Sequence, residues 1–126
     1  MKIKILIVDD AETNRELTAR LLQIHGYEIL FAEDGLQALA LTQKEQPDIV
    51  LMDIGLPMMD GWEATKIIKS TESTKHIPVI ALSAHAMEET EQKALDAGCD
   101  AYVSKPLDLS ILLEAINSSI KLRSPI

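Results

Sequence analysis

Three uninterrupted apolar runs limit the folds open to this chain: Ile5-Leu6-Ile7-Val8, Ile49-Val50-Leu51-Met52 and Val79-Ile80-Ala81-Leu82. Runs rich in Ile and Val, with no alternating polar residue, have no face to give to water. They fit strands buried on both sides, as in a parallel sheet covered by helices. They belong to expected strands over 3–8, 48–52 and 78–82, and two more polar segments, 28–32 and 100–103, suit the sheet edges. Helical spacing fills the intervals. Leu109, Leu112, Leu113, Ile116 and Ile120 form a stripe behind Asp108, an expected N-cap. Leu17, Leu21 and Ile24 mark a first helix that Gly26 ends. Leu36, Leu39 and Ala40 mark a second, opened by Asp34-Gly35, and Ala64, Ile67 and Ile68 a third. The expected fourth, around 88–97, has Leu95 as its one large apolar residue and is expected to pack weakly. Five strand–helix units predict an α/β sandwich with right-handed crossovers, whose functional groups stand just beyond the carboxyl ends of the strands.

Composition narrows the function classes. The chain of 126 residues suits a single domain over 1–126, with no room for an effector domain. A net charge of −8 disfavours nucleic acid and anionic membranes as partners. No apolar run approaches the length of a membrane span. Asp9-Asp10 cut off the amino-terminal run before it resembles a signal peptide. The lone cysteine, Cys99, has no internal partner, which points to a reducing, cytoplasmic compartment. Met1, directly before the first strand, reads as a natural start and favours a free-standing protein.

The strand ends carry the chemistry. Asp9 and Asp10 follow the first strand, Asp53 the third, Ser83 the fourth and Lys105 the fifth; Glu33 and Asp34 follow the second, at an edge. Each alone is an ordinary turn, cap or surface residue. Together they deliver three carboxylates, a hydroxyl and an ammonium to one edge of the sheet. Clustered carboxylates repel, so they need a cation or must protonate. An all-oxygen donor set suits Mg²⁺, and His25, His76 and His85 are too scattered to suggest zinc. A carboxylate beside Mg²⁺, a lysine and a hydroxyl is equipped for phosphoryl transfer, with Asp53 as nucleophile and Asp9 and Asp10 holding the metal. A Mg²⁺-dependent phosphohydrolase with an Asp nucleophile is the rival from another class; such enzymes usually place a second Asp two residues on, where this chain has Gly55. The glycine-rich fingerprints of nucleotide binders are absent.

At these residues the sequence resembles the receiver domain of two-component response regulators, the CheY-like family. The landmarks are Ile5-Leu6-Ile7-Val8-Asp9-Asp10, Met52-Asp53-Ile54-Gly55-Leu56-Pro57, Ala81-Leu82-Ser83-Ala84 and Ser104-Lys105-Pro106. The resemblance spans the whole chain. It is similar to stand-alone DivK-like regulators and also to receivers excised from hybrid histidine kinases. It implies a flavodoxin-like (βα)5 sandwich with a five-stranded parallel sheet of order 2-1-3-4-5. It implies that Asp53 is the phosphoacceptor and also a Mg²⁺ ligand, Asp10 a direct Mg²⁺ ligand, Asp9 a ligand acting largely through water, and the Gly55 carbonyl a further ligand. Ser83 and Lys105 match the groups that hold the phosphoryl, and Gly55 and His85 stand where the family tunes rate. Tyr102 matches the family's switch aromatic; an ordinary half-buried strand tyrosine is the other reading. The implied donor is a histidine kinase or histidine phosphotransfer protein. The implied output is a protein partner on the face of the fourth helix, fifth strand and fifth helix. Such a chain is a signalling phosphoacceptor, catalysing at most its own phosphorylation and dephosphorylation.

Overall fold

Alternate side chains of a strand go to opposite faces of its sheet, and here both faces are apolar. The computed structural model describes residues 3–53, 61–83, 98–104 and 109–123. In chain order the elements are β1 (Lys4–Val8), α1 (Glu12–Ile24), β2 (Glu28–Ala32), α2 (Gly35–Glu45), β3 (Ile49–Asp53), α3 (Gly61–Ser70), β4 (Val79–Ser83), β5 (Ala101–Ser104) and α4 (Leu109–Arg123). The segment 88–97 and Asp108 lie outside the described residues, so the expected fifth helix is α4 here.

The strands form one sheet in the order β2-β1-β3-β4-β5. Every neighbouring pair is parallel. The two polar strands take the edges, as their composition predicts. Leu6, Val8, Val50, Met52, Val79 and Ala81 pack with Ala38 of α2 and Ala64 and Ile68 of α3. The alternate set, Ile5, Ile7, Ile49, Leu51, Ile80 and Leu82, packs with Ala19 and Leu22 of α1 and Leu112 and Ile116 of α4. The result is a three-layer sandwich with two helices described on each face.

Two helices are rotated from the expected stripes. In α1 the buried residues are Thr18, Ala19 and Leu22, while Leu17 is 59% and Ile24 79% exposed. In α2 they are Gly35, Ala38 and Thr42; Leu36 is 47% exposed, Ala40 is exposed, and Leu39 is half-buried against the core. The inner faces combine small residues, Ala19 in α1 and Gly35 and Ala38 in α2, with Leu22 and the threonines Thr18 and Thr42. The α3 and α4 stripes face the core as expected, through Ala64 and Ile68 and through Leu112 and Ile116.

Several strands also start one residue later than their apolar runs suggest. Asp48 and Asp100 act as staples at the amino edge of the sheet rather than as strand residues. Asp48 Oδ2 accepts from the Lys4 amide at 2.8 Å while the Asp48 amide donates to the Lys4 carbonyl at 2.8 Å. Asp100 repeats this with Val79, both bonds at 2.8 Å. Lys69 Nζ then joins Asp100 Oδ2 and the Ile77 carbonyl, each at 3.0 Å. Gly98 leads into this junction at φ +97°, a backbone region that favours glycine, and a Cβ there would press on Lys69 Cγ at 3.2 Å. Asp34 caps α2 as expected, accepting from the Gln37 amide at 2.8 Å.

Candidate functional site

Strand register builds the site. Val8 of β1 lies opposite Met52 of β3, so one step further along the chain Asp9 and Asp53 stand side by side. Asp10 follows at once. One carboxylate oxygen from each of Asp9, Asp10 and Asp53 lies within 4.8 Å of the others. Asp9 is buried at 6% exposure, Asp53 is half-buried and Asp10 is exposed. Two unit charges at this spacing repel by about 3 kcal/mol at an effective dielectric of about 20, and by less where solvent reaches Asp10. Three hard oxygen donors open to solvent on one side fit a divalent cation such as Mg²⁺. The amino terminus of α1 follows directly, and its dipole favours negative charge there.

Asp9 is tied down on three sides. Its amide donates to the Ala32 carbonyl of β2 at 3.1 Å. Its Oδ1 accepts from the Ala11 amide at 2.9 Å, and its carbonyl accepts from Arg15 Nη1 at 2.8 Å. Arg15 was not among the residues singled out by the sequence. The signal was present: a cation in the first turn of a helix opposes the dipole and needs an anionic or carbonyl partner nearby.

Ser83 ends β4, one step past the Leu82 that pairs with Asp53, and pairs in turn with Ser104 of β5. Its backbone is thus at the same carboxyl edge as the acids. Tyr102 lies opposite Ala81, half-buried against the cluster shared with α2 and α3. Gly55, His85 and Lys105 lie outside the described residues. Glu33 and Asp34 do not join the acid cluster. Asp34 caps α2, and Glu33 Oε1 lies 3.6 Å from Arg15 Nη2. Among the described residues no helix is long and apolar enough to cross a membrane.

Comparison with known proteins agrees with this arrangement. Residues 5–117 match the family model of the response regulator receiver domain. The polar-differentiation response regulator DivK of Brucella ovis is 42% identical over 118 residues, covering 94% of this chain and 96% of that protein. The chemotaxis response regulator CheY4 of Vibrio cholerae superposes with a TM-score of 0.88 at 30% identity, over 94% of this chain and 99% of that one. The receiver domain of a sensor histidine kinase from Pseudomonas aeruginosa PAO1 superposes with a TM-score of 0.89 at 31% identity, over 96% and 99%. That structure has a magnesium ion coordinated in its active-site cleft. A match this long, on a chain whose sheet order and acid cluster already pointed the same way, places the protein in the response regulator receiver domain family.

Proposed function

We propose that the chain accepts a phosphoryl group on Asp53 from the phosphohistidine of a histidine kinase or histidine phosphotransfer protein. The observation that carries this reading is the meeting of three carboxylates at the ends of two neighbouring strands, one of them on central β3. An Asp53 carboxylate oxygen forms the new bond to phosphorus as the P–N bond breaks and imidazole leaves. Asp9, Asp10, Asp53 and the Gly55 carbonyl would hold Mg²⁺, which when bound supplies charge neutralisation at the phosphoryl oxygens. The buried, three-way anchored Asp9 keeps the cluster assembled beforehand, so little reorganisation accompanies transfer. Ser83 and Lys105 then receive the new phosphoryl oxygens, and Gly55 and His85 set how readily water removes the group.

In this reading the phosphoryl group biases two states of the surface around Tyr102, β5 and α4, together with segment 84–97, and a downstream protein reads the difference. The chain acts as one unit over 1–126 and is a signalling phosphoacceptor that catalyses only its own phosphorylation and dephosphorylation. A charge of −8 fits a protein partner in place of nucleic acid or a membrane surface. Location in the cytoplasm suits the free thiol of Cys99.

Incubation with a small-molecule phosphodonor and Mg²⁺, followed by intact mass, tests the reading. One phosphoryl group per chain is expected, lost on treatment with hydroxylamine and absent without divalent metal. An Asp53→Asn protein that still takes label overturns the assignment of the nucleophile. Continuous turnover of a phosphomonoester would favour the phosphohydrolase instead.

A further inference from the structure

We propose that Arg15 is a positioning residue of the acid cluster: its guanidinium sets the direction of Asp10 by holding the peptide that joins Asp9 to Asp10. The inference rests on the functional reading above and adds a residue to its machinery. The Asp9 carbonyl belongs to the same rigid peptide plane as the Asp10 amide. The 2.8 Å bond from Arg15 Nη1 to that carbonyl therefore fixes the plane from which Asp10 departs. The Asp9 amide anchors the residue before this plane, the bond from the Ala11 amide to Asp9 Oδ1 closes a turn across it, and Arg15 adds a hold from the helix on the carbonyl itself.

The cost of placing Arg15 there indicates a purpose. Its side chain is only 12% exposed, in the first turn of α1, where the helix dipole is unfavourable to a cation. The exposed Glu33, at 3.6 Å from Nη2, is a loose partner. The carbonyl bond is the short one, and a guanidinium serves two acceptors in a fixed plane. Arg15 also shares the inward stripe of Thr18, Ala19 and Leu22, so packing of α1 on the sheet aims it at the Asp9–Asp10 peptide. Removing such an outer-shell support typically weakens metal binding by about 10- to 100-fold.

The sign of the effect separates positioning from simple charge. On charge alone, deleting a cation beside three carboxylates tightens Mg²⁺; loss of positioning weakens it. Mg²⁺ binding to the intact chain is measured by calorimetry for wild type, Arg15→Met, Arg15→Lys and Glu33→Gln. About tenfold weaker binding is expected for Arg15→Met, a smaller loss for Arg15→Lys, and wild-type affinity for Glu33→Gln. Equal or tighter Mg²⁺ binding by Arg15→Met overturns the proposal. If that variant does not fold, equal or tighter binding by Arg15→Lys does so. A wild-type chain that neither binds Mg²⁺ nor labels defeats the functional reading itself, which is a different result from an unaltered variant.

Discussion

Asp100 carries three bonds through one carboxylate and one amide, joining β4, β5 and the end of α3. Beside it, Cys99 is 7% exposed. Burial pushes its thiol from 9.0 up to about 11; the Thr65 hydroxyl lowers it, Asp100 raises it and Lys69 lowers it. The folded state thus keeps its proton where the unfolded chain releases it. The stability this confers is complete below pH 9 and is lost as pH rises toward 11. Urea unfolding should show wild type losing about 2 to 3 kcal/mol more than Cys99→Ala across that window, and parallel pH profiles would refute it. The sequence marked Cys99 as unpaired, and its burial came from the packing of α3 on β4 and β5. The pairing of Asp48 with Lys4 and of Asp100 with Val79 was equally hidden, because side-chain bonds to a distant amide leave no local pattern.

Among the elements, α1 shows how a helix face is chosen. Leu17, Leu21 and Ile24 are the obvious apolar residues, yet the helix turns Thr18, Ala19 and Leu22 inward. Leu22→Ala should therefore cost about 2 to 5 kcal/mol. Leu17→Ala and Ile24→Ala should stay within about 0.5 kcal/mol. Denaturant midpoints of the three variants check the assignment; a costly Ile24→Ala would overturn it. The α4 stripe was readable because its large residues repeat mainly on one side, with Ile111 the exposed exception. In α1 and α2 large residues lie on several sides, and the buried side is the one that carries Ala19 with Leu22 and Gly35 with Ala38.

For the molecule as a whole, a ligand that binds only the folded state stabilises it by mass action. Mg²⁺ at a hundred times its dissociation constant should add about 2.7 kcal/mol and raise Tm by several degrees. Chelation should return Tm to its starting value, and Asp10→Asn should abolish most of the rise. A melting curve indifferent to Mg²⁺ would count against a metal site at Asp9, Asp10 and Asp53. The site is a property of the assembled sheet: Asp9 and Asp53 meet because β1 and β3 are neighbours in register, and their elements pack on one continuous pair of core faces.

Much of this could be read along the chain. Continuous Ile and Val runs announced strands covered on both faces, their polarity ranked centre against edge, and Asp9, Asp10 and Asp53 stood where two of the runs stopped. These are local signals, since a residue's type reflects how wet or dry its own position is. Which strands lie side by side was implied only by family resemblance, and the rotation of α1 and α2, the staples at Asp48 and Asp100 and the hold of Arg15 on the Asp9 carbonyl had to await the folded chain. Those features depend on distances between residues far apart in sequence, and such distances are set when helices settle against a sheet of fixed register.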